Sequence, residues 1–249
     1  MTQLNELDVE DVAAAVSAGR VVREHGPYKI QVGNENLDYR PLVITDPVPT
    51  GQQVLEAAGL RPVDEYLLYQ MYANGHLELL SPSETTDLRQ AGIEKFLAFK
   101  SDRSFRFFID GRSQDWGGQR ISGRTLKHLA GVDARKYEVF LVIPGEDDEL
   151  VEDNELFDLA RPGVEHFAAV EINIKVFVNT LPTFVHSRYL SYWEVVRLAY
   201  PDAVPSPNAQ FTVTYAKGFE GNSLTNLVEG QIVRIKKGMH FNVTPTDKS

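Results

Sequence analysis

The 249-residue sequence predicts an α+β protein of three tandem units, each a mixed sheet packed on one helix. Three observations predict it. First, a short phrase recurs: Thr86-Asp87-Leu88-Arg89-Gln90-Ala91-Gly92-Ile93-Glu94-Lys95-Phe96 returns as Phe157-Asp158-Leu159-Ala160-Arg161-Pro162-Gly163-Val164-Glu165-His166-Phe167, and a shortened copy, Gly238-Met239-His240-Phe241, stands near the end. Second, a helix-start signal lies upstream of each copy: Thr50-Gly51-Gln52-Gln53, Ser122-Gly123-Arg124-Thr125 and Ser191-Tyr192-Trp193-Glu194. In the first and third, the cap hydroxyl and the Gln or Glu three residues on form a capping box. Third, the fourth, seventh and eighth residues after each cap are apolar (Val54, Ala57, Ala58; Leu126, Leu129, Ala130; Val195, Leu198, Ala199), which places them on one helical face.

Taken in order, residues 1–26 match none of the repeats. Within them Val9, Val12 and Val16 stand at helical spacing behind the acids of Asp8-Val9-Glu10-Asp11, so a short amphipathic helix is expected. It either lies on the first unit or docks a partner. From Tyr28 the period becomes two: Tyr28, Ile30 and Val32 alternate, Gly33-Asn34-Glu35-Asn36 turns, and Leu37 and Tyr39 resume the strand pattern. After the Thr50 cap comes a helix that Gly59 ends, as Gly131 ends the second; the third runs into Tyr200-Pro201.

Each helix is followed by two more strand-like runs. Glu65–Met71 turns at Asn74-Gly75 into Leu77–Leu79; Tyr137–Val142 turns through Gly145–Asp148 into Leu150-Val151; Phe211–Tyr215 crosses a longer loop to Leu227-Val228. The repeated phrase then introduces the last strand. The first strand of copy two is Phe105–Ile109 and of copy three Ile172–Val178, and Gly117-Gly118 falls in an irregular second strand. The expected boundaries are 1–26 leader, 27–99, 104–170 and 171–243 for the three units, and 244–249 for a flexible tail, with Lys100-Ser101-Asp102-Arg103 a polar link between the first two units. The order strand, strand, helix, strand, strand, short turn, strand is that of the ubiquitin-like β-grasp.

Composition narrows function. A net charge of −10 argues against a nucleic-acid binder, although it leaves room for a local basic patch. No apolar run approaches the ~20 residues of a membrane span, so a cytoplasmic protein without membrane contact is expected. The absence of cysteine rules out a disulfide, a Cys-ligated metal and a thiol nucleophile in this chain. The six histidines show no metal-ligand spacing, and Glu146-Asp147-Asp148-Glu149 with Glu152-Asp153 lacks the ligand spacing and central glycine of a calcium loop. No metal, cofactor or catalytic constellation is expected, and the chain reads as not an enzyme.

With the repeated Thr/Ser-Gly helix start and the Gly-Val-Glu-x-Phe lead into the last strand, residues 27–249 resemble the bacterial multiubiquitin family, ubiquitin-like proteins encoded beside homologues of activating and conjugating enzymes. The resemblance implies a protein modifier. Its C-terminal carboxylate would be adenylated by a ubiquitin-activating-like enzyme using ATP and magnesium, passed to a ubiquitin-conjugating-like enzyme and joined to target proteins, with a metallopeptidase as a possible removing enzyme. Stress response and defence against phage are the settings that the resemblance implies.

For that chemistry the last strand is expected to end near Val243, with Pro245 blocking the ladder. The tail Thr244-Pro245-Thr246-Asp247-Lys248-Ser249 would then reach roughly 20 Å at ~3.3 Å per residue. It departs from eukaryotic modifiers in having no terminal Gly-Gly. Either Ser249 or a residue exposed by limited trimming is the reacting end, or the protein is a non-conjugated multivalent scaffold. Alternation sends Phe211, Val213, Tyr215, Met239, Phe241 and Val243 inward and leaves Phe177, Thr212, Thr214, His240 and Asn242 outward as the candidate partner-docking surface. His166 and His240 align, but Lys95 holds that place in copy one, which argues against a general base.

Overall fold

A computed structural model describes residues 9–90, 95–206, 210–219 and 221–246. It contains three tandem β-grasp repeats. In repeat 1, the strand β1 (Glu10–Asp11) and helix α1 (Val12–Ser17) precede β2 (Tyr28–Gly33), β3 (Arg40–Ile44), α2 (Gly51–Ala57), β4 (Tyr66–Met71), β5 (Leu77–Leu79) and β6 (Lys95–Lys100). Repeat 2 comprises β7 (Phe105–Ile109), β8 (Arg112–Trp116), β9 (Arg120–Ser122), α3 (Gly123–Ala130), β10 (Tyr137–Leu141), β11 (Glu149–Val151), β12 (Leu156–Asp158) and β13 (Glu165–Glu171). Repeat 3 repeats that order with β14 (Ile174–Val178), β15 (Leu181–Val185), β16 (Tyr189–Ser191), α4 (Tyr192–Ala199), β17 (Gln210–Ala216), β18 (Thr225–Leu227), β19 (Ile232–Arg234) and β20 (His240–Thr246).

The first and last long strands of each repeat pair in parallel at the centre of its sheet. Val32 faces Phe96, Ile109 faces Phe167 and Val178 faces Phe241, so the phenylalanine that closes the repeated phrase marks the same place in all three. Each is at most 2% exposed. That is the burial expected of an apolar anchor between helix and sheet. Gly163 and Gly238 turn the chain ahead of it with φ of 120° and 84°; Gly92 of the first copy lies outside the described residues.

The helix starts are held alike. Thr50 Oγ1 accepts from the Gln53 amide at 3.2 Å and Gln53 Oε1 accepts from the Thr50 amide at 2.7 Å; Ser191 and Glu194 repeat the exchange, and Ser122 accepts from the Thr125 amide. A second turn faces each start. Ser81–Glu84, Glu152–Glu155 and Val228–Gln231 each close on themselves, and the carbonyls of Glu84, Glu155 and Gln231 accept from the first helical amides, those of Gly51, Gly123 and Tyr192. Glu152 and Asp153 of the acidic stretch thus belong to a structural turn that Glu155 closes, while Glu146–Glu149 are exposed.

The leader differs in detail from its reading. Glu10 is not a first-turn acid of a helix; it lies in β1, which pairs in parallel with β2, and it is 3% exposed. Its carboxylate is bonded by Arg20 and Arg23 at 2.7 and 2.5 Å, which offsets the cost of its burial and holds its pKa below the ordinary value. Asp11 caps α1, and Val12 and Ala15 are fully buried in the core of repeat 1. The apolar face of α1 therefore serves the fold. The hairpin of repeat 1 differs too: the second strand starts at Arg40, because Asn34 Oδ1 accepts from the amides of Asn36 and Asp38 and draws Leu37, at φ 61°, into the turn.

The chain divides into two compact units, one of residues to Val132 with Val139–Ala169, the other of Asp133–Glu138 with residues from Val170. In the first unit the polar link Lys100–Arg103 lies beside an apolar joint that the sequence reading did not foresee. Tyr69, Met71, Leu77, Leu97 and Phe99 of repeat 1 share one buried cluster with Phe107, Trp116, Ile121, Leu126 and Leu129 of repeat 2. Phe99 meets Trp116 edge on, with centroids 4.6 Å apart. Buried Gln114 accepts from the Leu77 amide and donates to the Gly75 carbonyl, both at 3.1 Å. Arg112 donates to the carbonyls of Asn74 and Ala130, tying the turn of repeat 1 to the end of α3. Gly117 follows β8 rather than lying in an irregular part of it; a Cβ there would stand 2.6 Å from the Phe99 ring.

The second unit has its own core of Val176, Val195, Val213, Ile235, Met239, Phe241 and neighbours. Within it Arg188 holds Glu138 by two bonds of 2.5 and 2.8 Å.

Candidate functional site

The residues singled out for docking lie on the outward face of the repeat-3 sheet, whose order is β15-β14-β20-β17-β18. Alternation along β20 buries Phe241 and Val243 and turns His240, Asn242 and Thr244 outward. Opposite them on β17, Thr214 pairs with Asn242 and Thr212 with Thr244. Phe177 on β14 stands beside His240, and their rings stack at 4.7 Å and 24°. All five expected residues therefore share one face. Of the expected inward set, Val213, Met239, Phe241 and Val243 are buried and Phe211 and Tyr215 are half-buried against the same core.

The stack explains two of these residues. Phe108 and His166 pair in the same way in repeat 2, at 4.7 Å and 6°, so the aligned histidines cover an outward phenylalanine in both repeats. In repeat 3 the Lys175 ammonium stands 5.6 Å from the Phe177 ring centroid, and Lys217 Nζ lies 3.2 Å from His240 Nε2. The sequence reading passed over Lys217, because nothing local marks it; the signal that would have found it is the charge of repeat 3 taken alone, which is opposite in sign to that of the rest of the chain.

The end of β20 departs from its reading. The strand does not stop near Val243: Thr244, Pro245 and Thr246 pair with Thr212, Phe211 and Gln210, so half of the expected tail belongs to the sheet. Register explains why Pro245 is tolerated. The amide and carbonyl of Phe211 both bond the Tyr192 hydroxyl, at 3.2 and 2.8 Å, so Phe211 and Pro245 turn their polar groups away from each other and no ladder bond needs a Pro245 N–H. On the other edge, Asn179 stands in for a strand: its amide donates to the Val243 carbonyl at 3.0 Å and its oxygen accepts from the Val243 amide at 2.8 Å. Beyond Val243, β20 is paired on the β17 side only. Asp247, Lys248 and Ser249 lie outside the described residues.

The family model for multiubiquitin matches residues 35–101, 105–171 and 174–247, one match per repeat. The chain belongs to the multiubiquitin family. No curated protein matches the sequence. The family matches begin after the leader and run past Phe241 through β20 to residue 247. Among the described residues no cluster of three or more His, Asp or Glu side chains forms a metal-ligand group, and no helix is long and apolar enough to cross a membrane.

Proposed function

We propose that this multiubiquitin protein is a ubiquitin-like modifier whose C-terminal carboxylate is activated by a partner enzyme and joined to target proteins. A carboxylate becomes an acyl donor only when its oxygen is made a leaving group. In adenylation the carboxylate oxygen attacks the α-phosphorus of ATP and pyrophosphate leaves; an enzyme nucleophile then displaces AMP, and a target amine, commonly of lysine, displaces the enzyme. The nucleophiles and the ATP-bound magnesium belong to the partners. What this chain contributes is an end that enters the partner's site.

The observation that carries the proposal is the one-sided pairing of Thr244–Thr246, which can be peeled from β17 without opening the repeat-3 core. While β20 stays intact, the three following residues reach about 10 Å; with Thr244–Thr246 released, the reach doubles to about 20 Å. The activating and conjugating enzymes, a removing metallopeptidase and the targets are the expected partners. The test is incubation with the cognate activating and conjugating enzymes and ATP, followed by intact mass. An adduct on the C-terminal residue is the expected result.

A second reading, a non-conjugated multivalent scaffold, is favoured by one observation: β20 stays in the sheet to Thr246. If no adduct forms, and removal of Asp247–Ser249 leaves partner binding and cellular activity unchanged, the scaffold reading replaces the modifier.

A further inference from the structure

Charge is distributed unevenly along this chain. Residues 171–249 carry eight Lys and Arg against six Asp and Glu, a net of +2, whereas residues 1–170 carry −12. Four of the eight basic residues gather at the end of repeat 3 where β20 begins, around two aromatic rings. Phe177 is flanked by Lys175 and His240. Lys217 reaches His240 from the end of β17. Two residues on, Phe219 is 54% exposed, with the Arg234 guanidinium 4.7 Å and the Lys236 ammonium 5.3 Å from its ring centroid. The Gly238 amide donates to the Lys175 carbonyl at 2.9 Å and thereby fastens the 236–238 turn to β14, so the Phe177 group and the Phe219 group stand on adjoining segments. Among the described residues no Asp or Glu pairs with Lys175, Lys217 or Lys236.

We propose that this basic and aromatic face of repeat 3 is a docking site for an acidic segment of a protein partner, one carrying two or more carboxylates beside an apolar or aromatic side chain. The cations stand over the ring faces and are held there by them, and the part of Phe219 that stays exposed is the apolar element of this face. Carboxylates of the segment meet the lysines, and its apolar side chain covers Phe219. Charge complementarity selects the partner and speeds encounter. It also disfavours a long polyanion, since residues 1–170 of the same chain carry a net charge of −12. The face lies at the opposite end of β20 from Thr246, so a partner seated on it leaves the strand's end accessible. The inference does not rest on conjugation, and a scaffold would use the same face.

The test uses the full chain and a fluorescein-labelled dodecapeptide of Asp and Glu with two Phe residues, read by fluorescence anisotropy. Binding is expected, weakening at least about tenfold between about 50 mM and about 500 mM salt as screening shortens the range of the charges. K217E/K236E is expected to weaken it about tenfold or more. R103E, on the exposed link between repeats 1 and 2, is expected to leave it unchanged within about twofold. K175E supplies the same reading from β14 should the double variant fail to fold. The proposal is overturned if the peptide does not bind, if K217E/K236E and K175E bind it as the parent does, or if oligo-dT of equal charge binds more tightly. Salt-sensitive self-association that K217E/K236E abolishes would also overturn it, by assigning the face to a second copy of this chain.

Discussion

Repeats 1 and 3 present the same sheet positions to opposite surroundings. With Phe96 and Phe241 as the common marker, Leu67, Tyr69, Leu97 and Phe99 of repeat 1 occupy the places of Thr212, Thr214, Asn242 and Thr244 of repeat 3. In repeat 1 the last three are at most 2% exposed because repeat 2 packs on them; in repeat 3 Thr212, Asn242 and Thr244 are exposed. One fold therefore supports a two-sided sheet in one place and a one-sided sheet in another. The outward residues alone decide which. The threonine row also shows that the repeat-3 face is polar at its centre, and that its aromatic and charged residues lie at the edge near Phe177 and His240.

Exchanging residues between the two faces breaks the comparison most severely. Leu97→Asn places the repeat-3 residue in the shared core, where it removes apolar burial and leaves an amide without partners; a loss of about 3–5 kcal/mol is expected in urea unfolding. The reverse exchange, Asn242→Leu, is expected to change stability by no more than about 0.5 kcal/mol. Equal effects at both sites would refute the distinction. The joint itself is next. Gly75 has φ 80°, and a Cβ there would stand 2.4 Å from the Leu129 carbonyl oxygen, so Gly75→Ala combines backbone strain with a clash. About 2–3 kcal/mol is expected, read as increased hydrogen exchange in β5 and β8 with the core of repeat 3 unaffected.

Most of the fold was legible because the repeat supplies its own check: three helical stripes stand at identical offsets from three caps, and a buried phenylalanine follows each cap by 45 to 50 residues. The joint was legible too, in a signal left unread. Tyr66–Met71 and Lys95–Phe99 are near-continuous apolar runs, the pattern of strands buried on both faces, whereas Phe211-Thr212-Val213-Thr214-Tyr215 alternates. The length of β20 was not legible. Whether Pro245 stops a ladder depends on which edge its nitrogen faces, and that is set by the Tyr192 hydroxyl bonding Phe211, a contact across 19 residues. The basic face was hidden for a similar reason, since Lys175, Lys217 and Arg234 come from separate loops and strands.

The capping boxes sharpen the comparison through pH. In repeat 3 the box uses Glu194, whose pKa is lowered by bonds from the Ser191 amide and hydroxyl; in repeat 1 it uses Gln53, which does not titrate. A carboxylate with a lowered folded pKa adds stability that is fully present above its unfolded value and is lost as pH falls through the folded one. Acid should therefore loosen α4 before α2, by about 0.5 kcal/mol at most, because Glu194 is exposed and water screens its bonds. Glu194→Gln should remove this difference. Residue-resolved hydrogen exchange at neutral pH and near pH 3 decides it.

The most local effect bears most directly on function. Asn179 in repeat 3 and Asp110 in repeat 2 occupy one position, both at positive φ, 47° and 49°. Asp110 only accepts, from the Ala169 amide at 2.8 Å, whereas Asn179 both donates to and accepts from Val243. Asn179→Asp keeps a side chain that tolerates this backbone and keeps the bond from the Val243 amide, but it withdraws the donor and sets a negative charge against the Val243 carbonyl. Global stability should fall by less than about 1 kcal/mol, while the amides of Val243, Thr244 and Thr246 exchange several-fold faster. If release of Thr244–Thr246 limits entry into the activating enzyme, the same variant forms the C-terminal adduct faster than the parent. An unchanged adduct rate alongside faster exchange would mean that β20 enters the enzyme intact, and that Asp247–Ser249 alone span the distance to the reacting site.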